Sequence, residues 1–176
     1  MPATIRNLTE ADVDGLGAMF HRLSDLDLTL IREDLHDPAH VRSLAQAPDL
    51  RWVAVDDGAV VGWAAVNRLP GWSDHVGELR IVVDPSSRGS GLGRDLTKRA
   101  LRDGFNAGLG KIVIELATDQ EGVIEMFSSL GFTGEALLRD HIRDRDGELR
   151  DLIVLAHHVR EGFDTLDVIG VADALG

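Results

Sequence analysis

The sequence contains no cysteine among its 176 residues. This absence excludes disulfide bonds, thiolate metal sites and a cysteine nucleophile. An enzyme with this sequence that transfers acyl groups must therefore work without a thioester on its own chain. Low-complexity runs are also absent, and 44% of the residues are hydrophobic while 27% are charged. This composition is typical of a globular fold, and the length favours a single domain over residues 1–176.

Long hydrophobic runs and basic residues are both scarce. No window approaches the roughly 20 apolar residues of a membrane span, and the first residues lack the apolar stretch of a secretory signal, so we expect a soluble cytoplasmic protein that binds no membrane. The 18 Lys and Arg residues stand against 30 Asp and Glu residues, for a formal net charge of -12. Such a charge repels nucleic acid. It suits a cationic substrate such as an amine, or simply keeps the surface soluble.

Hydrophobic periodicity predicts seven strands and four helices in the order β, α, α, β, β, β, α, β, α, β, β. The predicted strands cover residues 4–8, 52–55, 60–66, 78–83, 111–116, 137–145 and 148–157, and the predicted helices cover residues 10–23, 38–46, 92–105 and 121–130. Residues 24–37 are interpreted as a polar connector. This order predicts an α/β (α+β) domain in which helices pack on a mixed sheet.

The stretch RGSGLGRD, residues 88–95, is called the glycine loop below and lies between a predicted strand and a predicted helix. Free N–H groups and the helix dipole attract anions at a helix N-terminus, and glycine lets a phosphate approach the backbone closely. Arg88 and Arg94 add positive charge on either side. The glycine loop therefore predicts a diphosphate site, although a tight connection without a ligand would give the same pattern. Its spacing fits neither the dinucleotide fingerprint nor the P-loop.

Two blocks of the sequence resemble the GCN5-related N-acetyltransferases (GNAT). Residues 83–93, VDPSSRGSGLG, are similar to the family's motif A, Arg/Gln-x-x-Gly-x-Gly/Ala, and Arg88, Gly91 and Gly93 fill that pattern. Residues 120–132 resemble the later helix Asn-x-x-Ala-x-x-x-Tyr-x-x-x-Gly-Phe. The separation of the blocks and the order of the elements match the family over nearly the whole chain.

The resemblance implies a fold, a co-substrate and a reaction. The fold is a mostly antiparallel, twisted sheet of about seven strands with a central splay, flanked by about four helices. Acetyl-CoA is the implied co-substrate, without a metal, and the acetyl group passes directly to a primary amine of a small molecule, a peptide N-terminus or a lysine. The implied cofactor-binding residues are Ile81, Val82, Val83, Arg88, Gly89, Ser90, Gly91, Leu92, Gly93, Arg94, Gln120 and Phe127.

The attacking amine must lose a proton, so a carboxylate is expected near the thioester. The resemblance implies two candidates for this catalytic base, Glu78 on the pyrophosphate side and Glu115, which matches the glutamate of members that acetylate protein N-termini. The sequence favours Glu78, and an ordinary solvated role stays open for both residues. Phe127 occupies the position at which many members carry a tyrosine as the general acid, and the chain contains no tyrosine.

These departures leave other interpretations open. Phe127 and Gln120, which replaces the usual asparagine, would also suit an acyl-CoA-binding regulatory module without turnover. A nucleotide-binding enzyme that holds ATP in the glycine loop fits less well, because no Ser/Thr and carboxylate pair for Mg²⁺ is evident. The tail, residues 159–176, carries apolar side chains and predicts docking on the body or a homodimer interface.

Overall fold

Within residues 3–47 and 50–159, which the computed structural model describes, seven strands form one sheet in the order β1-β2-β3-β4-β5-β7-β6. The strands are β1 (Thr4–Asn7), β2 (Arg51–Asp56), β3 (Ala59–Arg68), β4 (Val76–Val83), β5 (Lys111–Ala117), β6 (Thr133–Arg143) and β7 (Leu149–His158). All neighbours pair antiparallel except β4 and β5, which are parallel. The predicted seven-stranded, mostly antiparallel sheet is confirmed.

The same part of the chain contains five α-helices, one more than the sequence predicts. They are α1 (Val13–Phe20), α2 (Asp25–Thr29), α3 (Pro38–Gln46), α4 (Leu92–Asn106) and α5 (Glu121–Ser129). Helix α2 lies in the connector, for which the sequence predicts no helix. Ser24 and Asp27 start it with a capping box, in which the backbone N–H of each residue donates to the side chain of the other, at 2.9 and 3.2 Å. The first predicted helix is shorter than expected, since residues 10–12 form a 3₁₀ turn and α1 ends at Phe20.

Separate apolar clusters cover the two faces of the sheet, because side chains alternate along each strand. On β3, Ala64 and Val66 belong to one cluster, and Trp63 and Ala65 belong to the other. Helices α4 and α5 complete the first cluster, and α1 and α3 complete the second. The buried side chains of these helices include Leu96, Leu101 and Phe127 on one face and Leu16, Phe20 and Val41 on the other. Burial of each large apolar side chain contributes about 1.5–3 kcal/mol.

The centre of the sheet splays apart between β4 and β5. These strands pair at only three positions, Val76 with Lys111, Gly77 with Ile112 and Glu78 with Val113. Beyond Glu78, β4 stays paired with β3 as far as Val83, while β5 stays paired with β7 as far as Ala117. The predicted central splay is therefore confirmed, and it begins at the registered pair Glu78 and Val113.

The chain ends are described only in part. The docking or interface role predicted for residues 159–176 falls, apart from Val159, outside the described residues. Among the described helices, none has the length and apolar character needed to cross a bilayer.

Candidate active site

A cleft of about 540 Å³ opens between β4 and β5 where the two strands separate. Its walls are residues 79–83 of β4 and 114–116 of β5, and the glycine loop and α5 close one side. Residues from the segment between α1 and α3, including Leu23, Asp27 and Ile31, close the other side. The volume lies in the range of about 300–1,000 Å³ that is typical of small-molecule sites.

The backbone of β4 presents hydrogen-bonding groups to this cleft. Asp84 N donates to Val61 O and Leu69 N donates to Val76 O, both at 2.9 Å. Because hydrogen-bonded pairs alternate in an antiparallel ladder, these two bonds direct the main chain of even-numbered β4 residues toward β3. Leu79, Ile81 and Val83 therefore direct their N–H and C=O groups toward the cleft. Among the three β4 residues expected to bind the cofactor, Val82 contributes its side chain to the wall, because its backbone is oriented toward β3.

The glycine loop leads from β4 into the N-terminus of α4. Gly89 and Gly91 have φ angles of 75° and 88°, in the left-handed region that glycine adopts without strain. Gly91 is the N-cap of α4, and Asp95 N donates to Gly91 O at 3.1 Å. The N–H groups of Leu92, Gly93 and Arg94 precede this first helical hydrogen bond, so they and the helix dipole form an anion-binding arrangement.

Asp84 anchors the start of this connection. It is buried at the end of β4, and its Oδ1 accepts from Ser86 N at 2.9 Å and from Ser86 Oγ at 2.6 Å. Its Oδ2 accepts from Nε of Arg22, which lies just after the end of α1, at 2.5 Å. Burial alone would raise the pKa of Asp84, but the hydrogen bonds from Ser86 and Arg22 outweigh it and hold the pKa below its ordinary value. The carboxylate therefore stays ionised and fixes the turn that precedes the glycine loop.

The two arginines of the glycine loop have different partners. Arg88 Nη2 lies 2.8 Å from Asp27 Oδ1 on α2, and Arg88 Nε donates to Val83 O at 3.4 Å. Arg94 Nη2 donates to Ser129 Oγ at the end of α5, at 2.8 Å. Both arginines line the cleft. Arg88 thus has a carboxylate partner, whereas Arg94 has a neutral hydroxyl and keeps its positive charge uncompensated by this contact.

Gln120 and Phe127 lie on the α5 side of the cleft. Gln120 precedes α5, and its Oε1 accepts from Ala117 N at 3.1 Å, which ties the end of β5 to the helix start. Phe127 is fully buried and packs edge-to-face on Phe132, with ring centroids 5.1 Å apart. Both residues line the cleft. The side chain of Phe127 carries no polar atom, so it can supply shape and an apolar surface but no proton.

Five charged residues form a cluster at the edge of the cleft, here called the charge cluster. They are Arg32, Glu33, Glu78, Arg80 and Glu115. Glu33, Arg80 and Glu115 line the cleft, whereas Arg32 and Glu78 lie outside its lining. Glu78 Oε1 lies 2.9 Å from Arg80 Nη2 and 3.9 Å from Arg32 Nη1. Arg32 Nη2 also donates to Glu115 Oε2, and Arg80 Nε lies 3.2 Å from Glu33 Oε1. The cluster therefore joins the two splayed strands to the segment that follows α2.

The alternation of the strands explains why Glu78 and Glu115 meet. Leu79 and Ile114 belong to the apolar cluster on the α4 face, so their neighbours Glu78 and Glu115 face the opposite side of the sheet. Glu78 is paired with Val113, and Glu115 lies two residues beyond Val113 on the same face. The two candidate bases thus flank the point where the splay begins.

Most of the predicted cofactor residues line the cleft. The lining includes Ile81, Val82, Val83, Arg88, Gly89, Gly91, Gly93, Arg94, Gln120 and Phe127, together with Glu115. Ser90 and Leu92 lie in the glycine loop but not in this lining: Ser90 Oγ donates to Ser87 O at 2.6 Å, and Leu92 packs in the apolar core. Their contribution to an anion site would come from their main-chain N–H groups. Glu78 is also outside the lining, at the start of the splay.

Four residues of the site were not singled out from the sequence: Asp27, Arg32, Glu33 and Arg80. Arg80 carried a usable signal, because it lies two residues after Glu78 on a predicted strand and therefore shares its face. The pattern Ser24-x-x-Asp27 could have revealed α2. No local pattern indicates that Arg32 reaches Glu115, which is 83 residues away in the sequence.

The described part of the chain offers no evident metal centre. No group of three or more His, Asp or Glu side chains within residues 3–47 and 50–159 could hold a metal ion. The expected absence of a metal stays a prediction. The carboxylates of the charge cluster are instead paired with guanidinium groups.

Comparison with known proteins identifies a family for this architecture. Residues 18–132 match the model of the Acetyltransferase (GNAT) family. The N-alpha-acetyltransferase RimI of Mycobacterium tuberculosis is 30% identical over 145 residues, which cover 81% of this chain and 85% of that protein. A mycothiol acetyltransferase of Amycolatopsis mediterranei is 36% identical over 88 residues, but the match covers 47% of this chain and only 29% of that protein.

The fold also matches solved structures. The structure of yncA from Salmonella typhimurium with its cofactor acetyl-CoA superposes with a TM-score of 0.81 at 22% identity, covering 93% of this chain and 97% of that chain. At this identity the match concerns the fold alone. The expected GNAT architecture is thereby confirmed.

Proposed function

The chain belongs to the GNAT acetyltransferase family, and from this premise we propose that it transfers the acetyl group of acetyl-CoA to a primary amine of a small molecule or a peptide. As a member of this family it is an acetyl-CoA-dependent acetyltransferase. The amine would attack directly while both substrates are bound. The observation that carries the proposal is the cleft between β4 and β5, which has backbone N–H donors at one end and the carboxylate of Glu115 in its wall, with Glu78 at the start of the splay.

The coenzyme would be held mainly by backbone. The N–H groups at the start of α4 would bind the diphosphate, with Arg94 and, once released from Asp27, Arg88 adding charge. The main-chain groups of Ile81 and the N–H group of Val83, which point into the cleft beyond the last β4–β5 pair, would bind the pantetheine arm as a further strand would. An N–H group among them would also stabilise the negative charge that develops on the acetyl oxygen.

Glu115 is the better placed of the two candidate bases. Oε1 of Glu78 is bound by Arg80, which comes from the same strand and would remain there when substrates enter. Glu115 lines the cleft, and the partner it has in the charge cluster is Arg32, which belongs to a segment outside the sheet. The proposal therefore assigns Glu115 to take the proton from the amine, directly or through water. It assigns Glu78 to hold the amine in position.

The leaving thiolate would be protonated without help from a phenol. Phe127 occupies the position where the family pattern has tyrosine, and the chain contains no tyrosine. Nitrogen forms its bond to the acetyl carbon as the carbon–sulfur bond breaks, and the CoA thiolate leaves and then takes a proton from water. Glu115 returns its proton to solvent in the same cycle, so no net acid is consumed.

A peptide α-amino group is the first acceptor to test. The relative that aligns over most of both chains is described as an N-alpha-acetyltransferase. The position of Glu115 also matches the glutamate of family members that acetylate protein N-termini. A small-molecule amine is the second candidate, because a match to mycothiol acetyltransferases is also present.

The test combines binding and turnover. Calorimetry should detect acetyl-CoA binding, and thiol release should follow with at least one acceptor from a panel of peptides with a free N-terminus, the same peptides with a blocked N-terminus and an internal lysine, spermidine and free amino acids. Mass spectrometry of the product should show one added acetyl group on nitrogen. Absence of acetyl-CoA binding would overturn the proposal.

A regulatory acyl-CoA-binding module is the alternative, and fully buried Phe127 is the observation that favours it. Such a module would bind CoA and acetyl-CoA with similar affinity and would release no thiol with any acceptor in the panel. Acetylation of any of these amines at a rate above the uncatalysed reaction would exclude it.

A further inference from the structure

We infer that Arg32 occupies the subsite of the acceptor's cationic group, so that the cleft accepts an amine carrying positive charge and Arg32 must leave before that amine binds. The inference rests on the proposed function, and it adds a residue that competes with the acceptor for its subsite and so determines specificity.

The first argument is where the guanidinium lies. Arg32 Nη2 donates to Glu115 Oε2, and Nη1 lies 3.9 Å from Glu78 Oε1, so one cation lies between both candidate bases. The side chain of Arg32 is 56% exposed, whereas those of Glu78 and Glu115 are 17% and 23% exposed. The carboxylates thus belong to the wall of the site, while the cation reaches them from the solvent side.

The second argument is the charge balance. The charge cluster holds three carboxylates and two guanidinium groups, so its formal charge is -1, and it becomes -2 without Arg32. Arg80 is already shared between Glu78 and Glu33, at 2.9 and 3.2 Å. Arg32 is the ion-pair partner of Glu115 within the described residues. A substrate cation that replaces Arg32 supplies the same opposite charge to Glu115 and so restores the balance.

The third argument is that the Arg32 side chain can easily be replaced by a substrate cation. Arg32 lies between the end of α2 at Thr29 and the start of α3 at Pro38, outside any helix or strand. The backbone that carries it can therefore shift, and take the side chain away from Glu115, without breaking a helical or sheet hydrogen bond. An internal cation that fills the subsite most of the time weakens binding of an external cation. The apparent affinity is then the intrinsic affinity multiplied by the fraction of time for which the subsite is empty. With the subsite empty a tenth of the time, the loss is about tenfold.

The experiment measures binding of two small cations, n-butylammonium and methylguanidinium, to the whole protein without acetyl-CoA. Arg32→Ala should bind both about tenfold more tightly than the wild type. The double variant Arg32→Ala, Glu115→Gln should lose this gain, because one of the two carboxylates is neutral. Arg145→Ala is the matched control: Arg145 pairs with Asp25 on the same segment, at 2.7 Å, but does not belong to the charge cluster. It should bind both cations as the wild type does.

Equal affinities in the wild type and in Arg32→Ala would overturn the inference. So would an equal gain in Arg145→Ala, since loosening of the segment rather than an emptied subsite would then be the cause. Once an acceptor is identified, Arg32→Ala should lower its KM about tenfold and leave the KM for acetyl-CoA unchanged. The binding test needs neither acetyl-CoA nor turnover, so a failure of acetyl-CoA to bind would count against the proposed function alone.

Discussion

Asp27 Oδ1 lies 2.8 Å from Arg88 Nη2, so helix α2 is linked across the cleft to the first residue of the glycine loop. Burial would raise the pKa of Asp27, but hydrogen bonds from the side chain and backbone of Ser24 and the charge of Arg88 outweigh it and lower the pKa. Asp27 is therefore ionised at neutral pH. A diphosphate bound at the glycine loop would compete with it for the same guanidinium group.

Replacing Asp27 should thus strengthen cofactor binding. Asp27→Asn removes the competing charge, and we expect the affinity for acetyl-CoA to rise about two- to fivefold, as the modest strength of exposed ion pairs implies. Calorimetry at fixed ionic strength measures the change. Asp25→Asn removes an equal charge from the same helix and should leave the affinity unchanged. Weaker binding to Asp27→Asn would mean that Asp27 orients Arg88 for the diphosphate instead of competing with it.

Gly91 should be required for cofactor binding as well as for the left-handed backbone conformation at this position. Alanine at its φ of 88° costs about 1–2 kcal/mol of stability, and the added methyl group lies where the diphosphate would approach, so acetyl-CoA affinity should fall about tenfold. Gly58 has a φ of 78° in the turn between β2 and β3, and a methyl group added there would meet no other part of the protein within 4 Å. Gly58→Ala should therefore lose similar stability but no affinity. Thermal unfolding and calorimetry on both variants separate the two effects.

Neutralising the two candidate bases should have unequal effects. Glu115→Gln should lower kcat/KM by about 100-fold or more and remove the ionisation of the base from the pH profile. Glu78→Gln should have a smaller effect and retain that ionisation, because the proposal gives Glu78 a positioning role only. The reverse ranking would assign the base to Glu78, as the sequence favoured. If neither variant loses as much as roughly tenfold, the amine is deprotonated by other means.

Asp12 should make the free energy of unfolding depend on pH in the acid range. Hydrogen bonds from Arg6, at 2.6 and 2.7 Å, lower its pKa to about 2, with further contributions from Thr9 outweighing the opposing effect of burial. A depressed pKa stabilises the fold above the unfolded value of about 3.9, and this stabilisation is lost as the pH falls toward about 2. Solvent around exposed Arg6 screens the pair, so the contribution at pH 7 is about 1 kcal/mol.

Urea unfolding of the wild type and Asp12→Asn measures this contribution. The wild type should be more stable by that amount at pH 7 and pH 5, and the difference should shrink steadily between about pH 4 and pH 2. A difference that is constant over this range would show that the carboxylate's charge is not the cause.

The order of the strands and the glycine loop could be predicted because their signals are local. Alternating apolar residues marked the strands, and Gly91 with its helix-starting position marked the turn. Helix α2 was not predicted because five residues are too few to show a helical hydrophobic period. Only the cap formed by Ser24 and Asp27 indicated it. The end of α1 at Phe20 likewise depends on tertiary packing that periodicity does not contain.

The chemistry of the charge cluster could be predicted only in part. Glu78 and Glu115 were singled out by resemblance to a family, and strand alternation then explains their common face. Arg32 was missed because its contact with Glu115 spans 83 residues. Such contacts depend on where the fold brings a connector, and the connector has no period from which its position could be derived.

The alternation of β4 has a consequence for how this fold could acquire new acceptors. Under the proposed function, the main chain of Ile81 and Val83 binds the coenzyme, while the side chains at positions 80 and 82 line the acceptor pocket. Main-chain recognition is indifferent to amino-acid identity, so substitutions at those two positions can redesign the acceptor pocket while coenzyme recognition is inherited intact. Substitutions in this one strand can thus change acceptor specificity without changing how the coenzyme is bound.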